Sequence, residues 1–227
     1  MAEYESHEFD VIIVGAGGAG LRAAIEARSR GLRTALVCKS LLGKAHTVMA
    51  EGGVAAALRN VYDEDSWQVH FRDTMRGGKM LNNWRMAQLH AQESPDRVRE
   101  LEEWGALFDR TKDGLILQRD FGGHRYARLA HIGDRTGLEL IRTLQQKAVA
   151  EGIEVFMELK VLRLLRDEHG TVCRCLARGS PCRIMCLPRS VLSVFAAGTV
   201  WWFQDRLRVA FTRCAAVLVL VLLSSFA

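Results

Sequence analysis

Gly15-Ala16-Gly17-Gly18-Ala19-Gly20 is the segment of this 227-residue sequence with the most specific chemical content. It satisfies the pattern G-x-G-x-x-G, and each glycine answers a separate demand of pyrophosphate binding. Gly15 makes a tight turn, Gly17 lets the backbone approach the phosphates, and Gly20 permits close packing of a helix on a strand. The phosphates then meet the unpaired N–H groups and the positive end of that helix. The pattern therefore predicts a dinucleotide. An NAD site usually places a carboxylate at the end of the next strand to hold the ribose hydroxyls. Here that position reads Cys38-Lys39-Ser40, with no acid. The residues argue against NAD and leave NADP, with Lys39 answering the extra phosphate, or FAD held by another arrangement.

The elements that must position this turn are legible around it. Phe9–Val14 is a short apolar, β-branched run, as a buried parallel strand requires. Leu21–Arg30 has apolar residues at helical spacing, closed by Gly31, and Arg33–Val37 reads as a second strand. Strand, glycine turn, helix and strand within about thirty residues form the unit of a doubly wound parallel sheet. Lys39–Gly53 is a long loop of small and polar residues. Helices are predicted from Ser66 to about Met75, over Asn82–Glu93, and again from Ser94-Pro95 to Trp104-Gly105, where Ser94 would cap and Pro95 would sit at the first helical position. Leu107–Phe121 suggests a hairpin about Lys112-Asp113-Gly114. Asp134–Ala150 is an amphipathic helix closed by Gly152, and strands follow over Ile153–Leu165 and Thr171–Ala177. The expected class is α/β: an incomplete doubly wound parallel sheet, Rossmann-like, with inserted helices and a hairpin.

The loop after the second strand carries a resemblance. Lys44-Ala45-His46-Thr47-Val48-Met49-Ala50-Glu51-Gly52-Gly53 resembles the signature of the succinate dehydrogenase/fumarate reductase flavoprotein subunits. Gly77-Gly78, Phe121-Gly122-Gly123 and Asp134-Arg135-Thr136-Gly137 look like landmarks of the same family, in the same order, so the similarity covers about residues 7–175. It implies FAD as the cofactor, held covalently through His46, with a flavin potential raised enough to accept a hydride from succinate. By the same resemblance Gly15–Gly20 would bind the cofactor together with Lys39, Ser40, Thr47, Gly52 and Gly53. Gly52 and Phe121 would lie beside a dicarboxylate substrate. Electrons would pass to an iron–sulfur subunit of a membrane complex, placing the chain in the cytoplasm or peripherally on the cytoplasmic face of the inner membrane. The match is closest to the succinate dehydrogenase type, because related soluble fumarate reductases and L-aspartate oxidases lack the linking histidine. Arg125, Arg128 and Arg135 are candidates to attract a dianion, since guanidinium pairs bidentately with carboxylate. Nothing in the sequence makes His124 or His131 catalytic, and the acids Glu100, Glu102 and Glu103 read as a solvated helix face.

Composition divides the chain. Residues 1–168 carry 25 acidic and 24 basic side chains, whereas residues 169–227 carry one acid, Asp205, and seven arginines, so the overall charge of +5 comes from the last quarter. A neutral body excludes a nucleic-acid-binding reading built on whole-chain charge. Five of the six cysteines also lie in the tail, at 173, 175, 182, 186 and 214, without a zinc-ligand spacing. Met1–Phe9 has no secretory pattern, so the body reads as cytosolic. The division predicts a partial FAD-binding domain over 1–177 and a divergent apolar and basic tail over 178–227, either evolved or read out of frame. Val191–Phe203 and Cys214–Ala227 are apolar runs of 13 and 14 residues, below the roughly 18 a membrane helix needs. Phe195-Ala196-Ala197-Gly198 imitates the family's next strand only loosely. The family's capping domain, its proton-transferring arginine and the residues that clamp its substrate have no counterparts. The expectation is therefore a truncated, poorly soluble homologue with little or no turnover. The competing reading is a nonenzymatic fragment whose tail associates with a membrane or a partner, and an NADP-dependent reductase ranks third.

Overall fold

Val11-Ile12-Ile13-Val14 is β-branched throughout, a composition that suits a strand buried on both faces. The computed structural model, which describes residues 4–120, 122–169, 172–179, 184–188, 191–196 and 199–200, makes it one. In chain order the elements are β1 (Tyr4–Ser6), β2 (Val11–Val14), α1 (Gly18–Ser29), β3 (Thr34–Val37), a 3-10 turn (His46–Met49), β4 (Val54–Ala55), α2 (Trp67–Gly77) and α3 (Trp84–Glu103). Then come β5 (Gln118–Arg119), β6 (Leu129–Ala130), α4 (Thr136–Ala150), β7 (Glu154–Phe156), β8 (Leu159–Arg166), β9 (Val172–Gly179), β10 (Ile184–Pro188), β11 (Val191–Ala196) and β12 (Thr199–Val200).

The described residues form two compact units, one from those up to Ala45 together with those from Gln145 to Val200, the other from His46 to Leu144. The first unit holds a five-stranded sheet in the order β12-β11-β2-β3-β7, in which β11, β2, β3 and β7 run parallel. A second sheet, β1-β10-β9-β8, pairs β8, β9 and β10 antiparallel. Phe9, Ile12, Ala35, Val37, Leu159, Cys175 and Ala177 form a buried cluster in this unit. Each fully buried aliphatic side chain such as Ile12 or Leu36 contributes about 1.5–3 kcal/mol. Every residue of α1 from Gly18 to Ala27 is buried, which its small residues Ala19, Ala23, Ala24 and Ala27 allow. The α/β class and the parallel sheet are as the sequence implied.

The second unit contains α2, α3 and a small antiparallel sheet, β4-β6-β5. Ser66 Oγ caps α2 by accepting from the Val69 N–H at 3.4 Å, and Asn83 Oδ1 caps α3 by accepting from Arg85 and Met86.

Two expectations change. The two helices predicted on either side of Ser94-Pro95 are one, α3, with Pro95 inside it. A proline in a helix interior costs about 3 kcal/mol, because it removes a hydrogen bond and crowds the preceding turn. The buried stripe Ala87, His90, Ala91, Ser94, Val98 and Leu101 keeps its helical period straight through the proline, and that tertiary burial outweighs the local cost. The single strand over 153–165 breaks into β7 and β8 at Met157-Glu158, where Glu158 turns to a φ of +54°. The hairpin about Gly114 is present but short: the Thr111 N–H donates to the Leu115 carbonyl at 2.8 Å and the Leu117 N–H to the Asp109 carbonyl at 2.7 Å, on either side of the Arg110–Ile116 bridge, and the strand beyond it turns to pair with β6. The apolar run beginning at Val191 pairs in parallel with β2, from Val191 opposite Val11 to Val194 opposite Val14. Residues 201–227, with the second apolar run, lie outside the described residues.

One contact sets the packing of α1 on β2. A Cβ added to Gly20 would stand 1.8 Å from the Gly15 carbonyl oxygen, a backbone atom that cannot move aside. Gly20→Ala is expected to lower the unfolding free energy by about 3 kcal/mol or more, at the upper end of overpacking penalties. Gly77→Ala, with nothing within 4 Å, is expected to change it by less than about 1 kcal/mol. Urea titrations followed by circular dichroism compare the two.

Candidate functional site

The glycine turn joins β2 to α1 in the first unit. Gly15 takes a φ of +110° and donates its N–H to the Val37 carbonyl at 2.7 Å, tying the turn to the end of β3. Gly17 is the N-cap of α1, and the first turn of the helix carries no acidic side chain. This end of the helix thus presents positive potential with no side chain at the cap and no acid in its own first turn, and it suits a diphosphate. Beyond β3, Cys38 is buried with its thiol pushed up by burial, Lys39 is exposed and Ser40 is half-buried. The Ser40 carbonyl accepts from the Glu158 N–H at 3.4 Å. Cys38-Lys39-Ser40 supplies no carboxylate at this strand end.

Deeper in α1, Arg22 is buried and its Nη1 bonds Glu26 at 3.0 Å, while Arg30 binds the other oxygen of the same carboxylate. Burial alone would raise the Glu26 carboxyl; hydrogen bonds from Arg30 and Arg22 outweigh it and hold it below the ordinary range. This buried pair was not singled out from the sequence, although its i, i+4 spacing was the available signal.

In the second unit the 3-10 turn exposes His46 and buries Thr47. The turn is held from behind by the Asp134–Gly137 segment. A Cβ on Gly137 would lie 2.0 Å from the Thr47 carbonyl oxygen, and the Gly137 N–H donates to the Ala50 carbonyl at 2.6 Å. The glycine of that motif is required because α4 starts in backbone contact with the turn carrying His46. Gly52 and Gly53 are both buried. Gly53 has a φ of +123°, and a side chain there would meet the Ala130 carbonyl at 2.8 Å. The chain before Gly53 is gripped by Arg119, a residue the sequence did not mark. Arg119 donates to the Gly52 carbonyl at 2.9 Å and the Glu51 carbonyl at 2.6 Å, and it bonds Asp134 at 3.1 Å. Phe121 lies outside the described residues.

Of the three candidate arginines, Arg128 is not available to a ligand. It is fully buried and bonds Asp65 at 2.8 Å and Asp73 at 3.1 Å. Asp65 sits just ahead of α2 and Asp73 on α2, so the ion triad ties β6 to that helix. Burial raises the Asp65 carboxyl although Arg128 pulls it down. Asp73 also accepts the Arg125 N–H at 2.9 Å, anchoring the backbone that leads from Gly123 to β6. The Arg125 and Arg135 side chains are exposed, and among the described residues neither forms an ion pair. His70, on α2, packs edge-on to His90 at 5.0 Å and to His124 at 5.7 Å between ring centroids. His131 is buried with Nδ1 2.9 Å from Asp109. On the acidic face of α3, Glu100 pairs with Arg97 at 2.9 Å and Glu102 with Arg110. Among the described residues no group of three His, Cys, Asp or Glu side chains could hold a metal ion, and no helix is long and apolar enough to cross a membrane.

Residues 10–192 match the family described as FAD binding domain, and the chain belongs to that family. The match extends beyond residue 175 and takes in the first residues of β11. Its relatives are flavoproteins of the succinate dehydrogenase and fumarate reductase type. A fumarate reductase (CoM/CoB) subunit from Methanothermobacter marburgensis is 48% identical over 167 residues, covering 73% of this chain and 30% of the relative. The mitochondrial succinate dehydrogenase (ubiquinone) flavoprotein subunit of Oryza sativa is 41% identical over 173 residues, covering 73% of this chain and 27% of the relative. Among solved structures, the Sdh1 complex of Mycobacterium smegmatis in its apo form superposes with a TM-score of 0.81 at 58% identity, covering 84% of this chain and 34% of that one. The chain therefore spans about a third of the length of the proteins it matches.

Two outcomes follow from the buried charges. Arg128→Met leaves two carboxylates buried without their cation and is expected to cost about 3–5 kcal/mol, measured by urea unfolding. The histidines make stability depend on pH. Burial, with the nearby His90, Arg128 and His124, holds His70 well below the ordinary imidazole value. Burial and Arg128 lower His124 against the pull of Asp73 and Asp120. A histidine whose folded value is depressed contributes stability above its unfolded value of about 6.5 and loses it as pH falls. Asp65 acts in the opposite sense, but only near the carboxylate range. The midpoint of urea unfolding is therefore expected to fall between about pH 7.5 and 5.5, and His70→Gln is expected to flatten that fall.

Proposed function

We propose that this chain holds FAD as part of a succinate dehydrogenase/fumarate reductase-type flavoprotein, with the cofactor bonded covalently through His46. The observation that carries the reading is the glycine turn at the head of α1, without a carboxylate at the end of β3, in a chain matched to the FAD-binding family over residues 10–192. Gly15 to Gly20 receive the diphosphate at the helix N-terminus, and Lys39, Ser40 and Thr47 line the cofactor. When bound, the flavin supplies a two-electron acceptor. Gly52 and Gly53 bring backbone rather than side chains to it, and Gly52 with Phe121 borders a dicarboxylate. In the reaction proposed for the whole flavoprotein, succinate is oxidised to fumarate and electrons pass to an iron–sulfur subunit on the cytoplasmic face of the inner membrane. The similarity to Sdh1 and to the fumarate reductase relative supports that assignment.

Removing a hydride from succinate requires a base that takes a proton in the same passage. His70 is buried, His124 packs edge-on against it and Arg128 is paired with carboxylates, so no described residue is assigned that role. The chain's own contribution is cofactor binding, and little or no turnover is expected from it alone.

His46 is exposed on a short turn whose backbone is fixed by Gly137, which leaves the imidazole free to react. The chain is expressed with excess riboflavin, precipitated with acid, and inspected for flavin fluorescence in the washed pellet. Fluorescence that stays with the polypeptide, and is lost in His46→Ala with no change in unfolding midpoint, is the expected result. A colourless wild-type pellet overturns the covalent link, and absence of FAD uptake in titration overturns the whole reading.

A further inference from the structure

Arg119 does more than stabilise β5. Its Nε and Nη2 grip two successive carbonyls, Gly52 at 2.9 Å and Glu51 at 2.6 Å, while Nη1 is held by Asp134 at 3.1 Å. The Thr136 hydroxyl also donates to the Glu51 carbonyl, at 3.4 Å, and the preceding carbonyl of Ala50 is taken by the Gly137 N–H. Three consecutive carbonyls are thus fixed by Arg119 and the start of α4. In a planar trans peptide the N–H points opposite to the C=O. Two carbonyls drawn to one guanidinium therefore turn the N–H groups of Gly52 and Gly53 away from it. Both residues are buried, and among the described residues neither N–H meets an acceptor, because the ladder of β4 with β6 begins only at Val54. A buried donor without a partner costs about 1–3 kcal/mol, so a pair of them held in this way marks a place where an acceptor binds.

We propose that Arg119 is the positioning residue that aims the Gly52 and Gly53 N–H groups as donors to the bound flavin. The inference rests on the FAD reading above and assigns to it a residue that touches no ligand: every polar atom of the guanidinium is spent on Glu51, Gly52 and Asp134. A lysine cannot replace it fully, because one ammonium lacks the fork that reaches both carbonyls in a fixed plane.

The test uses the full chain with Arg119→Met and Arg119→Lys. Amide hydrogen exchange of the peptide spanning residues 50–56 is measured without cofactor, with the α1 peptide as internal reference. FAD affinity is measured by quenching of flavin fluorescence. Arg119→Met is expected to speed exchange of the 50–56 peptide at least tenfold, leave α1 unchanged and weaken FAD binding about tenfold, with Arg119→Lys intermediate in both. If Arg119→Met proves insoluble, Arg119→Lys carries the same test. Unchanged exchange overturns the clamp; faster exchange with unchanged FAD affinity overturns its role toward the flavin. A wild-type chain that takes up no FAD sinks the FAD reading and the flavin role of Arg119 together, and the exchange measurement then decides the clamp by itself.

Discussion

Backbone meets backbone without an intervening side chain at the points on which this structure depends. Gly20 sits against the Gly15 carbonyl, Gly137 against the Thr47 carbonyl and Gly53 against the Ala130 carbonyl, each at a distance a Cβ could not tolerate. The first contact lets α1 lie close enough to β2 for its N-terminus to open over the glycine turn. The second seats the start of α4 against the turn that carries His46, and the third brings the Gly-Gly segment onto β6. Glycine is demanded there by the neighbouring carbonyl as much as by flexibility, in the glycine turn, in the Gly-Gly segment after His46 and in the Asp134–Gly137 segment.

Charge is handled in two ways. At the head of α1 no acid of the first turn offsets the positive end, which is what a helix end needs if it is to meet an anion. In the second unit it is buried and matched: Arg128 against Asp65 and Asp73, with the neutral imidazoles of His70 and His124 alongside. A buried triad of this kind is weak as a source of net stability, because desolvation offsets the Coulomb gain. Its value lies in specificity, since β6 and α2 have one arrangement in which all three charges are answered. The backbone from Gly123 to β6, which leads out of the segment likened to a substrate loop, is pinned to the same Asp73 through the Arg125 N–H.

Arg119 and Arg128 illustrate how differently two arginines of one short stretch are used. Arg128 disappears into the interior and fixes secondary structure. Arg119 remains partly exposed and spends its guanidinium on main-chain carbonyls, so its effect is felt through the orientation of the peptides at Gly52 and Gly53. Of the two, the sequence offers only Arg128 as a candidate for a dianion.

Local periodicity was enough to place β2, the glycine turn, α1, β3, α4 and β9, because each is set by neighbours within a few residues: branching at Cβ, the helical repeat and the glycine that closes a turn. The dinucleotide reading came from the same short range, and the flavin from motifs in order. Residues that act across the fold were not legible. Arg119 reaches back 67 and 68 residues to Gly52 and Glu51, and Arg128 reaches 63 to Asp65; no spacing rule announces such pairs. Nor did local rules foresee α3 running through Pro95, since burial of one continuous stripe overrode the proline, or the seat of Val191–Val194 beside β2. A sequence states what each segment prefers; which distant carbonyl, carboxylate or strand edge it meets is decided by packing, where one arrangement satisfies many buried groups at once.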